Sequence, residues 1–286
     1  YMKGKPFFPI GFCFGITDEA VKKAKGVGMN CVHQEYKIRD MFPKSLDKPS
    51  EKGVKQLSRF VDICRQNDMV MFPLLSAHHF PGWLSKEKGH RPKDINGNNV
   101  GLWFNRSLHD PNFRKTLKAY WTLIAKTVGD DPNAAAFVTW NEPGYGLDAT
   151  PNALKAYRTY LRHKYKNVEA MNKALETSFK SFNEVLPPKK PEDNRTFWYN
   201  WVTYNQKAFA EFFAWQRSIF KKHAPKSNLT HKHPVSATIP AEGWVNDIPL
   251  LSESQDVFGC DAYNGSLFHY RDVMEAARSL SDMGPV

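Results

Sequence analysis

The chain alternates two kinds of apolar pattern. Short unbroken runs fit strands buried on both faces, and longer stretches with apolar residues recurring every three to four positions fit amphipathic helices. Residues 7–14, 29–36, 69–76, 136–140, 229–238 and 256–263 read as six strands. A first helix is expected behind Thr17 as cap, running to about residue 25 and closed by Gly26 and Gly28. Residues 50–66 place Val54, Leu57, Phe60, Val61 and Cys64 on one helical face. Residues 111–128 do the same with Phe113, Leu117, Tyr120, Trp121, Ile124 and Val128, with Asp110 placed to cap them. In the fourth interval both 151–175 and 197–222 are helical in period, with a polar, proline-bearing break at 187–193. That crossover is therefore expected to carry an insertion around residues 176–200. A short helix at 245–253 and a last one at 268–280 complete the pattern.

Strand and helix thus alternate about six times, and no change of composition marks a linker. The expectation is one α/β domain over residues 1–286 with a parallel sheet of barrel type. An open doubly wound sheet is the competitor, but no G-x-G-x-x-G or P-loop follows the first strand. Gly284-Pro285-Val286 reads as the lead-in to a seventh strand. The fold expected is a (β/α)8 TIM barrel, incomplete in this chain, with about six βα units and the last two missing.

At 286 residues the chain is long enough to bury a substantial core. No run approaches the eighteen or so apolar residues of a membrane span, and no nucleic-acid motif is present, so neither partner is expected. The N-terminus lacks a charged segment followed by an apolar one, so no targeting sequence is expected in these residues. The four cysteines, at 13, 31, 64 and 260, form no C-x-x-C pair; most lie in apolar runs and read as buried free thiols. A formal net charge of +11 favours an anionic partner. The lysines are spread in pairs such as Lys22-Lys23 and Lys221-Lys222 rather than in a stripe, so the choice lies between a solvated basic surface and an acidic or sulfated polymer as ligand. Aromatic residues make up 14% of the chain, enough to line a sugar cleft as well as a core.

The fourth strand carries the chemistry. Ala136-Phe137-Val138-Thr139-Trp140 runs into Asn141, Glu142, Pro143 and Gly144, which must end it. The amide and carboxylate therefore sit at the C-terminal end of a buried strand, the end where a barrel builds its active site. A carboxylic acid fixed there suits protonation of a departing glycosidic oxygen, and Asn141 beside it suits a sugar hydroxyl. Asn-Glu also occurs as a plain cap or loop pair; the buried strand before it favours the catalytic reading. His78 and His79 follow the third strand, Asp261 and Tyr263 close the sixth, and His231 and His233 share a face of the fifth. Trp83, Trp103, Tyr145 and Trp244 fall in loops on the same side as candidate stacking platforms.

Trp140-Asn141-Glu142-Pro143 resembles the acid/base motif of the clan of retaining (β/α)8 glycosidases. Lys5-Pro6-Phe7-Phe8-Pro9-Ile10-Gly11, Pro81-Gly82-Trp83-Leu84 and the run from Leu108-His109-Asp110-Pro111 to Asp131-Pro132 are similar to glycoside hydrolase family 42, the β-galactosidases. So is Tyr160-Leu161-Arg162-His163-Lys164-Tyr165 with Asn172-Lys173-Ala174-Leu175. The resemblance implies a retaining mechanism with Glu142 as acid/base, no cofactor, and a glutamate nucleophile from a seventh strand, about 5 to 5.5 Å away in such enzymes. It also implies a substrate-facing histidine at 78 or 79, and a tyrosine at 263 bonded to the nucleophile. Where the family carries a substrate-contacting arginine on strand two, this chain has His33. No residue matches the nucleophile motif, and Glu35, Glu242 and Glu253 are not assigned to that role. The fragment by itself is expected to be inactive, and an extracellular or periplasmic setting is favoured over a cytoplasmic one.

Two other readings compete. One is a carbohydrate-binding barrel without a complete catalytic pair. The other is a metal-dependent barrel hydrolase using His231-x-His233, His78-His79 and Asp261, although the glycosidase reading expects no metal site.

Overall fold

The computed structural model describes residues 2, 4–86, 89, 91–101, 103–234 and 245–261, without the side chains of 234, 260 and 261. Trp244, Glu242, Tyr263 and the helix expected at 268–280 lie outside the described residues. Six strands form one sheet: β1 (Gly11–Cys13), β2 (Cys31–Lys37), β3 (Val70–Ser76), β4 (Phe137–Asn141), β5 (Leu229–Pro234) and β6 (Gly259–Asp261). Their spatial order is their sequence order, and every neighbouring pair is parallel. The crossovers carry α1 (Asp18–Gly26), then α2 (Ile38–Met41) and α3 (Glu51–Gln66), then α4 (Gly82–Lys86) and α5 (Pro111–Val128). The fourth carries α6 (Pro151–Tyr165), α7 (Val168–Leu175) and α8 (Arg195–His223), and the fifth carries α9 (Ile248–Ser252). A doubly wound sheet reverses its strand order at a switch point. This one never reverses, as consecutive units of a barrel require.

Helices begin where short polar side chains can take up free N–H groups. Thr17 accepts from the Ala20 amide at 3.1 Å, Ser50 from Gly53 at 3.2 Å, and Asp110 from Asn112 at 2.9 Å and Phe113 at 3.2 Å. Pro111 follows Asp110 in the first turn, where a missing N–H costs nothing. The helical run expected over 151–175 is divided: Lys166 turns to φ 67° after α6, and Asn167 caps α7 through the Ala170 amide. Two 3-10 turns, Phe182–Glu184 and Pro191–Asp193, lie between α7 and the 29-residue α8. No helix among the described residues is long and apolar enough to cross a membrane.

The first strand is shorter than its apolar run suggested. Phe8 is 76% exposed and Ile10 52%, because β1 pairs only with β2 among the described residues and has no second neighbour to cover it. Cys13 on this edge is exposed, which corrects the expectation of a buried thiol, whereas Cys31 and Cys64 are buried.

The core joins the sheet to the helical layer through aromatic rings. Trp140 at the end of β4 is wholly buried, stacked on Phe104 at 4.3 Å and met edge-on by Phe212 and Phe213 of α8. Phe212 also meets Phe113 and Trp121 of α5, so a single ring ties two helices to one strand end. Truncating a ring so placed leaves a cavity that rigid neighbours cannot fill. Phe212→Ala is expected to cost about 3–5 kcal/mol in a urea unfolding curve, while truncation of the 73%-exposed Tyr199 on the same helix stays within about 0.5 kcal/mol.

Candidate active site

The pairing of β4 with β5 contains an irregularity. Phe137 and Val138 pair with Leu229 and Thr230, but the next partner of Lys232 is Asn141, so β4 advances three residues while β5 advances two. The extra residue is a bulge, which bends the strand and re-aims the residues beyond it. Thr139 and Trp140, adjacent in sequence, both pack toward the helical layer: Thr139 Oγ1 lies 2.6 Å from His231 Nδ1, and Trp140 meets α8. Pairing resumes at Asn141, opposite Lys232, and Asn141 is half-buried.

Glu142 comes next with φ at 46°, in the left-handed region, its amide donating to the Lys232 carbonyl at 2.7 Å. Among the described non-glycine residues six have positive φ, and Asp68, Lys166 and Glu176 are simply helix ends. The other three, Phe14, Trp103 and Glu142, all lie in loops beyond the C-terminal ends of strands. Such conformations cost about 1–3 kcal/mol each and persist only where the surroundings over-determine them. At Glu142 the surroundings are explicit. Asn246 donates to the Pro143 carbonyl at 2.7 Å, the Val245 amide to the Tyr145 carbonyl at 2.9 Å, and the Gly146 amide to the Val100 carbonyl at 2.7 Å.

Tyr145 is part of this support and not a stacking platform, which corrects the expectation. It is 1% exposed, its ring stacks on Phe209, and its hydroxyl donates to Asp148 at 2.6 Å while accepting from the Leu108 amide at 3.2 Å. Trp83 is half-buried, with its indole N–H given to the Phe42 carbonyl at 2.8 Å. Trp103 remains open, 44% exposed and 5.5 Å from the His78 ring.

The two histidine pairs have different surroundings. His231 and His233 are each 1% exposed and face the helices. His231 packs on Phe213 at 4.1 Å and sits between Thr139 and Ser254, and His233 stacks on Phe258 with Gln255 donating to its Nε2 at 2.9 Å. They are not placed to reach a sugar, nor to join His78 and His79 around a metal, because residues on one strand face that point into the helical layer cannot also point out of it. Burial drives His231 well below its ordinary pKa and His233 down to about 4.

His78 and His79 stand past the end of β3 with their rings 4.3 Å apart. Burial pushes His78 to about 4 and lowers His79 as well. They are joined by a residue to which the sequence pattern assigned no role. Glu35 of β2 receives the Ser76 hydroxyl at 2.5 Å, and its carboxylate lies 3.2 Å from His79 Nε2 and 3.1 Å from Lys37 Nζ. Burial works to raise that carboxyl, but Ser76, Lys37 and His79 outweigh it and hold it below the usual range. The signal was present in the period of the strand: Tyr36 packs on Phe60 of α3, so His33, Glu35 and Lys37 lie together on the other face. His33 is half-buried there, beside Phe14. Asp261 ends β6, with its side chain outside the described set.

A cleft of about 640 Å³ opens beside this rim, lined by Phe14, Glu35, Lys37 and residues of α3. A second, of about 570 Å³, lies between α5, α6 and α8 around Arg114 and Tyr204. Neither of these two clefts is lined by Glu142.

The family model for glycoside hydrolase family 42, described as β-galactosidase, matches residues 40–281. The β-galactosidase BbgII of Bifidobacterium bifidum is 24% identical over 297 residues, covering 93% of this chain and 40% of its own length. The β-galactosidase of Bacillus circulans sp. alkalophilus superimposes with a TM-score of 0.80 at 16% identity, over 95% of this chain and 42% of that one. A catalytic mutant of Gan42B, a family 42 β-galactosidase from G. stearothermophilus, gives 0.73 at 16% identity, over 94% and 43%. The chain thus spans less than half the length of each of these relatives. Together with the strand order, they identify the fold as an incomplete α/β barrel.

A histidine whose folded pKa is depressed takes up its proton more readily when unfolded, so stability is full above the unfolded value and is lost as pH falls toward the folded one. For His233 that window runs from 6.5 down to about 4 and is worth on the order of 3 kcal/mol. Unfolding curves across it should show stability falling with pH, and His233→Gln should flatten the slope; an unchanged slope would place the titration elsewhere.

Proposed function

This chain belongs to glycoside hydrolase family 42, and from that premise we propose that it carries the acid/base half of a retaining β-galactosidase-like site. Glu142 is the acid/base in this reading. It protonates the bridging oxygen as the glycosidic bond breaks, then takes a proton from water when the glycosyl intermediate is hydrolysed. The nucleophile would come from a strand that lies beyond those described. The observation that supports this best is the bulge at Thr139-Trp140 followed by left-handed backbone at Glu142, strain held at the catalytic end of a barrel strand. Asn141, the half-buried last residue of β4, is the partner proposed for a sugar hydroxyl, and the exposed Trp103 a platform for a sugar ring. His33, His78 and His79 border the same rim. The substrate is an oligo- or polysaccharide with β-glycosidic bonds.

In the full-length protein, Glu142→Gln is expected to lower kcat/KM about 10²–10⁴-fold on a disaccharide, whose leaving group needs the proton, and far less on an activated nitrophenyl galactoside. Equal losses on both would remove Glu142 from the acid role. The net charge of +11 supports acidic or sulfated glycans as the better substrates. Turnover of sulfated over neutral galactans should then be favoured at low salt and the preference should shrink as salt rises; an equal rate on both at every ionic strength removes this part of the reading.

A further inference from the structure

We propose that Glu35, His78 and His79 form a binding site for a divalent transition metal of the zinc class, at the rim shared with Glu142. One ligand atom from each lies within 4.8 Å of the other two. Two ligands held about 2.0–2.1 Å from a tetrahedral zinc are about 3.3 Å apart, and Glu35 Oε1 and His79 Nε2 already stand 3.2 Å apart. A plain hydrogen bond would account for that pair. It would not account for His78 beside it, 9% exposed and without a hydrogen-bond partner at Nδ1 among the described residues.

The donor set selects the ion. Two imidazoles and one carboxylate suit zinc, cobalt or nickel, whereas calcium and magnesium ask for oxygen ligands throughout. Lys37 does not compete for the same position: its ammonium lies on Glu35 Oε2, while Ser76 and His79 meet Oε1. The Ser76 hydroxyl bonds the ligand oxygen from outside, the kind of support that fixes a metal-binding carboxylate. The ends of β2 and β3 are adjacent in the sheet, with Lys37 paired to Ser76, so the ligands converge without a long loop having to close. Three protein ligands leave a coordination position for water or a sugar hydroxyl beside Trp103. This site does not depend on the glycosidase assignment, and its test reads binding alone.

The test is equilibrium dialysis of tag-free full-length protein against Zn²⁺, followed by metal analysis, with the visible spectrum of the Co²⁺ form as a second readout. The expected result is one equivalent bound, undisturbed by excess Ca²⁺, with Co²⁺ bands of four or five coordination. Glu35→Gln and His79→Ala, confirmed as folded by circular dichroism, should each weaken binding about 100-fold or more, since loss of even an outer partner costs 10–100-fold. His233→Gln should leave it unchanged. Absence of bound zinc in the unaltered protein overturns the proposal without reference to any variant. So does full affinity in both rim variants, or loss of binding in His233→Gln.

Discussion

The stack of Trp140 on Phe104, braced by Phe212 and Phe213, is the constraint that fixes the strand end carrying Asn141 and Glu142. A strand end in a barrel is free to fray into its loop, and a carboxylate on a frayed end has no fixed direction. Here the last side chain before Asn141 is a fully buried indole held between a loop residue and a helix. The bulge lies at Thr139 and Trp140, and left-handed backbone at Glu142 follows it directly. The left-handed backbone at Glu142 is sustained by its own amide donating to the Lys232 carbonyl, by hydrogen bonds from residues 245 and 246 to the carbonyls of Tyr145 and Pro143, and by the buried Tyr145.

The same layering divides the histidines by environment. Those on β5 point into the helical layer, where Thr139 and Ser254 meet both ring nitrogens of His231, Gln255 meets Nε2 of His233, and burial keeps both rings neutral. Those beyond β3 stand at the rim, where a carboxylate from the neighbouring strand meets them. Identical side chains thus serve packing in one place and offer lone pairs in another. What separates the two is only which face of a strand each occupies and what covers that face.

Of the two clefts, one is lined by residues at the ends of β1 and β2 and by α3, the other by α5, α6 and α8, and Glu142 lines neither. In a complete barrel the mouth is walled by strands on every side. Within the described residues β1 and β6 are edges, and apolar side chains such as Phe8 and Ile10 lie exposed along the first of them.

Much of this was legible in the sequence. The period of apolar residues located the helices and the parallel sheet, because burial on one face of a helix or both faces of a strand leaves its repeat in the chain. Short polar side chains marked the helix starts at Thr17 and Asp110, because an amide without a partner needs a nearby oxygen. The Trp140-Asn141-Glu142-Pro143 motif, lying after a buried strand, pointed to the rim. Tertiary structure alone decided the rest: that Tyr145 is support, that His231 and His233 are core, and that Glu35 stands with His78 and His79. A sequence determines which residues alternate along a strand but not which face meets a helix. One extra residue in a bulge, or a contact across 41 positions from Glu35 to Ser76, arises from packing that no local pattern carries.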